Sequence, residues 1–184
     1  MAAALPGFNA PAVGFEQPFA MLEACHERVQ RTLALLQRLR GHVQAQGAAD
    51  EPARQAARDV LRYFDIAAPL HHEDEELHVF PLLLAQGTPG VVALVRRLQH
   101  DHACMSADWA AARLPLLALA EGRQAVFTEA DAAAFERFAG RYGQHIEGEE
   151  SVAYPAAQAL LPPADLAPMG QEMAARRGAP ARPL

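Results

Sequence analysis

One pattern of chemistry-bearing residues occurs twice in this chain. His71-x-x-x-Glu75-Glu76-x-x-x-Phe80-Pro81 recurs 74 positions later as His145-x-x-x-Glu149-Glu150-x-x-x-Tyr154-Pro155. A helix rises about 1.5 Å per residue with about 3.6 residues per turn, so residues four apart project from one face. An imidazole and a carboxylate so placed grip one cation, or two adjacent ones. Two such helices offer four nitrogen and oxygen ligands.

Ligands of this kind need elements that hold them, and the rest of the sequence provides helices. Of 184 residues, 51% are hydrophobic but only 7% aromatic, and strand-type runs of Val, Ile, Thr and Tyr are missing. This composition predicts an all-α single domain. Punctuation divides it into an N-terminal arm (1–18, with Pro6, Gly7, Pro11 and Gly14), four helices (19–161) and a Pro-rich tail (162–184). The first helix runs from Phe19 to Gln46, and Asp50 caps the second. Pro69 is expected to kink that second helix and Pro81 to break it, since each ring removes a donor and clashes with the preceding turn. Thr88-Pro89 opens the third helix, which runs to Glu121-Gly122. Thr128-x-x-Asp131 is a capping box for the fourth, which ends at Leu161. The tail is read as mostly exposed, with room for a short helix.

Stripes through these helices alternate steps of three and four. They read Leu22, His26, Val29, Leu33, Leu36 in the first and Val60, Phe64, Ala67, His71, Glu75, His78, Leu82 in the second. The third gives Val91, Val95, Leu98, His102, Met105, Trp109, Ala112, Leu116, and the fourth Phe135, Phe138, Tyr142, His145, Glu149, Val152. Such a seam belongs to a left-handed, up-down-up-down four-helix bundle, and each seam carries a histidine. The second helix has one extra step of four, near its expected kink. Stripping water from a carboxylate costs several kcal/mol, so four histidines and two glutamates on inward seams need a common partner, and metal cations satisfy them together.

Two choices of register arise. His72-x-x-x-Glu76 also has the i,i+4 spacing, but the residue after His145 is Ile146 and Pro155 follows His145 by ten as Pro81 follows His71, which selects His71 and Glu75. His100 lies about 200° from the Leu98–Met105 seam, which selects His102. The donors suit iron, manganese and zinc alike.

These residues resemble the hemerythrin-like family, the HHE cation-binding domain, over roughly Phe19 to Leu161. That family carries a histidine on helix one, H-x-x-x-E on helix two, a histidine on helix three and H-x-x-x-E on helix four, which here are His26, His71, Glu75, His102, His145 and Glu149. The resemblance implies a four-helix bundle with two Fe ions, a non-haem di-iron centre bridged by an oxo or hydroxo group and by both glutamates. Oxygen-carrying hemerythrins have a second histidine four residues from the first on helix three, where this chain has Ser106, so one iron loses a ligand. The six-ligand set is similar to di-iron proteins of nitric oxide stress and of repair of damaged iron centres. It implies binding of a small oxidant (dioxygen, nitric oxide or peroxide) at an open position, with an unidentified redox partner. The alternative is an iron- or oxygen-binding sensor or store that turns nothing over.

Around this set, His78 is read as a hydrogen-bonding neighbour or part of a polar mouth. Tyr142 is read equally as donor to a bridging oxygen species and as core. Glu76, Glu150, His72, Glu73 and Asp74 are read as a solvated face or as neighbours of the ligands, and His42 as surface. Cys25 and Cys104 are read as buried free thiols. The net charge of −6, without a Lys/Arg run, gives no reason to bind nucleic acid. No apolar stretch reaches membrane-spanning length, and Met1 to Pro18 does not read as a signal peptide, so a cytoplasmic protein is expected.

Overall fold

In the computed structural model, which describes residues 13–179, every regular element is a helix. The four expected helices are α1 (Pro18–Gln46), α2 (51–86), α3 (Pro89–Ala120) and α4 (129–160), followed by α5 (Pro163–Arg176). The predicted caps are in place. Asp50 accepts from the Ala53 N–H at 2.9 Å, Thr88 accepts from the Val91 N–H, and Thr128 and Asp131 cap each other reciprocally. Pro6, Gly7 and Pro11 of the expected arm, and Pro180 of the tail, lie outside the described residues.

Pro81 behaves differently from expectation. No break occurs at Pro81, and α2 runs helically through both prolines to Gln86. A π turn precedes each ring instead: Tyr63–Ala67 before Pro69, Glu75–Val79 before Pro81, and in α4 Glu149–Ala153 before Pro155. The N–H groups of Ala68, Phe80 and Tyr154 reach back five residues, to the carbonyls of Tyr63, Glu75 and Glu149. Widening the turn gives the proline ring room against a carbonyl it would meet in an ordinary α-turn.

Each π turn inserts one residue, and the inward face moves on by one. The seam expected to continue through Ala67, His78, Leu82 and Val152 instead buries Ala68, Val79, Leu83 and Ala153, while Val152 is exposed. On α1 and α3 the stripes hold, with Leu22, His26, Val29, Leu36, Val95, Leu98, His102, Met105, Ala112 and Leu116 all buried.

Two apolar clusters result, one at each end of the bundle. One joins Val29, Leu36, Val60, Phe64, Met105, Leu116, Phe135 and Phe138; the other joins Leu22, Cys25, Val79, Phe80, Leu83, Leu98, Tyr154 and Ala157. The tail is docked rather than mostly exposed. The α5 residues Met169 and Met173 enter the second cluster, and Gly170 lies so close to the Phe15 carbonyl that a β-carbon would collide with it. Charge fixes the same helix, since the fully buried Asp74 of α2 pairs with both Arg176 and Arg177. No helix among the described residues is long and apolar enough to cross a membrane.

Candidate metal centre

Between the two apolar clusters lies a polar layer. His26 from α1, His71 and Glu75 from α2, His102 from α3, and His145 and Glu149 from α4 are all buried there, and the structure brings all six together. Glu149 spans the layer: Oε2 is 3.2 Å from His26 Nε2, and Oε1 is 2.9 Å from His145 Nε2 and 3.8 Å from His102 Nε2. Glu75 spans it too, with Oε1 3.5 Å from His71 Nε2 and Oε2 3.4 Å from His102 Nε2. The donors form two groups, His26–His71–Glu75–Glu149 and His72–His102–His145, each with its ligand atoms within 4.8 Å of one another.

Approach is close here without hydrogen-bond alignment. Glu75 Oε2, both Glu149 oxygens and the Nδ1 atoms of His71 and His145 are buried with no hydrogen-bond partner. Buried polar atoms are seldom left so, and converging carboxylate oxygens and imidazole nitrogens fit a cation. Protonation reflects the crowding. Burial and the neighbouring Glu149 push the Glu75 carboxyl up to about 7. Burial also works against the charged form of Glu149, but His102, His145 and His26 outweigh it and hold that carboxyl low. Burial, reinforced by neighbouring imidazoles, holds His71 and His72 neutral, the form in which imidazole coordinates.

The second glutamate of each repeat aims a histidine. Glu76 Oε1 on α2 is 3.0 Å from His102 Nδ1 on α3, and Glu150 Oε1 on α4 is 2.8 Å from His26 Nδ1 on α1. A carboxylate accepts, so each Nδ1 donates to it and each Nε2 is turned into the layer, 3.2 Å from Glu149 for His26 and 3.4 Å from Glu75 for His102. The aromatic residue of each repeat covers the same ring: Phe80 stacks on His102 at 5.5 Å and Tyr154 on His26 at 5.6 Å. Tyr154 also donates its hydroxyl to Glu75 Oε1. Burial and the two carboxylates keep its proton in place.

Several readings change. Tyr154, not Tyr142, is the tyrosine that touches the layer; Tyr142 packs on Phe64 and Phe138. Its signal in the sequence was the aromatic position before the repeated proline, where one copy has Phe and the other Tyr. Of the two readings of His72, solvated face or neighbour of the ligands, the structure favours the second, since its ring stacks on His102 at 4.0 Å and 11° from parallel. Asp74 is buried as the anchor of α5, and His78 is 2.5 Å from Glu172 of that helix, away from the layer. Cys25 is buried as expected, whereas Cys104 is half-buried beside the exposed His100. His42 is on the surface, paired with Asp50. Gly148 has ordinary helical angles but permits a close approach, since a β-carbon there would lie 3.2 Å from Leu94 Cδ1 on α3.

A cavity of about 510 Å³ reaches the His102 side of the layer, walled by Phe64, Met105, Trp109, Phe138 and Tyr142 and bordered by His72, Glu76 and Ser106.

Comparison with known proteins agrees with this geometry. The family model of the hemerythrin HHE cation binding domain matches residues 17–157. An uncharacterized protein of Haemophilus influenzae (strain ATCC 51907 / DSM 11121 / KW20 / Rd) is 33% identical over 164 residues, covering 89% of this chain and 91% of the relative.

Proposed function

Since the chain belongs to the hemerythrin HHE cation-binding domain family, we propose that its polar layer holds two iron ions and binds a small oxidant such as dioxygen, nitric oxide or peroxide. The observation that carries this is the pair of buried carboxylates, each reaching histidines from both donor groups and retaining buried oxygens with no hydrogen-bond partner. When bound, such an iron pair supplies electrons and Lewis acidity to a small ligand.

The protein's own groups do the rest. His26, His71, Glu75 and Glu149 would hold one ion, and His102 and His145, which lie against the same two glutamates, would hold the other. Glu76 and Glu150 keep the proton of His102 and His26 on the outer nitrogen. Tyr154 fixes one oxygen of Glu75 and presents a protonated hydroxyl at the edge of the layer. The apolar cavity walls favour a small neutral molecule over a hydrated ion.

Metal analysis of protein produced in iron-rich medium, together with its absorption spectrum, tests the reading. Two irons per chain with the near-ultraviolet absorption of a bridged pair are expected; one tightly held zinc, inert to nitric oxide and peroxide, would overturn it. Reversible ligand spectra without consumption of the oxidant would make the protein a sensor or store instead.

A further inference from the structure

We propose that His72 is a third imidazole ligand at the second metal position, beside His102 and His145. This rests on the two-metal reading above. By spacing alone, the two registers of α2, His71–Glu75 and His72–Glu76, look like alternatives. On a helix, however, consecutive residues diverge by about 100°, so neighbouring histidines can serve positions on either side of the glutamate that follows. The geometry has that form. His71 faces His26, with ring centroids 4.8 Å apart, whereas His72 faces His102 at 4.0 Å and His145 at 6.2 Å. Nitrogens of His72, His102 and His145 lie within 4.8 Å of one another.

The need for such a ligand is visible on α3. One turn beyond His102, where a further histidine would complete the second position, stands Ser106, and its hydroxyl is turned back to the His102 carbonyl at 3.0 Å. His72 and Ser106 border the same cavity. The imidazole missing from α3 is thus supplied from α2, giving a set of five histidines and two glutamates. His72 and His102 both border the cavity, so an exogenous molecule held there would lie beside the second position.

Stepwise Co(II) titration of the metal-free full-length protein, followed by visible absorption, tests the assignment. The unsubstituted protein is expected to take up two ions. H72A and H72F should keep the first ion at unchanged affinity and lose at least tenfold in affinity for the second, with an altered cobalt spectrum. H72F retains a ring to stack on His102, so preserved affinity in that variant would assign His72 to packing and overturn the proposal. Adding S106H to H72A should restore the second ion, which also shows that the variant folds. If both the unsubstituted protein and H72A bind two ions equally well with one spectrum, the His72 assignment falls and the two-metal reading stands. If the unsubstituted protein binds fewer than two, both fall.

Discussion

At the scale of single residues, the centre is built by reciprocal orientation. Glu150 is exposed and Glu76 half-buried, and both are also neighbours of the ligands, since each turns a histidine on another helix toward the layer. E76Q and E150Q should therefore weaken metal binding by about 10–100-fold while leaving the helical fold intact, measured by competition with a chromophoric chelator. The six residues His26, His71, Glu75, His102, His145 and Glu149 were legible in the sequence because helical periodicity places them on inward faces. His72 and Tyr154 were not, for different reasons. The i,i+4 rule sees pairs on one face and is blind to a neighbour that turns to another partner. A tyrosine in an aromatic slot looks like core packing until its hydroxyl is found against a carboxylate.

At the scale of elements, the π turns and the docked α5 carry what periodicity missed. A pattern search assumes a constant 3.6 residues per turn, whereas three wide turns each add one residue. The trace they left was the extra step of four in the second seam and an aromatic–proline pair after each repeat. Docking of α5 depends on Asp74, a fully buried carboxylate between Arg176 and Arg177. Removing a partner from a buried pair costs about 3–5 kcal/mol. Both arginines keep some contact with water, so D74A should fall at the low end of that range in urea unfolding. Glu172 adds a pH-dependent part. Its hydrogen bond from Arg176, with help from His78 and against slight burial, lowers its carboxyl below the ordinary 4.5. That contribution is fully present above pH 4.5 and fades as pH falls through the lowered value. Thermal unfolding between pH 6 and pH 3 should accordingly show a shallower acid-side loss in E172Q than in the unsubstituted protein.

For the whole molecule, the polar layer divides the core into two apolar clusters. Without a cation, Glu75 and Glu149 sit close together and fully buried, so the metal-free bundle should be the less stable form. At free metal about 100-fold above the dissociation constant, mass action should add about 2.7 kcal/mol, read as a concentration-dependent rise in melting temperature that a chelator reverses.

The reach of each repeat's second glutamate to a neighbouring helix also bears on assembly. Glu76 lies on α2 and aims a histidine of α3, while Glu150 lies on α4 and aims a histidine of α1. Cut in the turn between α3 and α4, the chain yields two fragments, neither with a finished centre: one holds His102 with its aiming glutamate but leaves His26 unaimed, and the other holds Glu150 with nothing to aim. Such fragments should associate tightly only when metal is supplied, detectable by size-exclusion chromatography with and without chelator. Ion capture would then act as a checkpoint on completion of the chain, because the last helix of the bundle must be present before the first can present its histidine correctly.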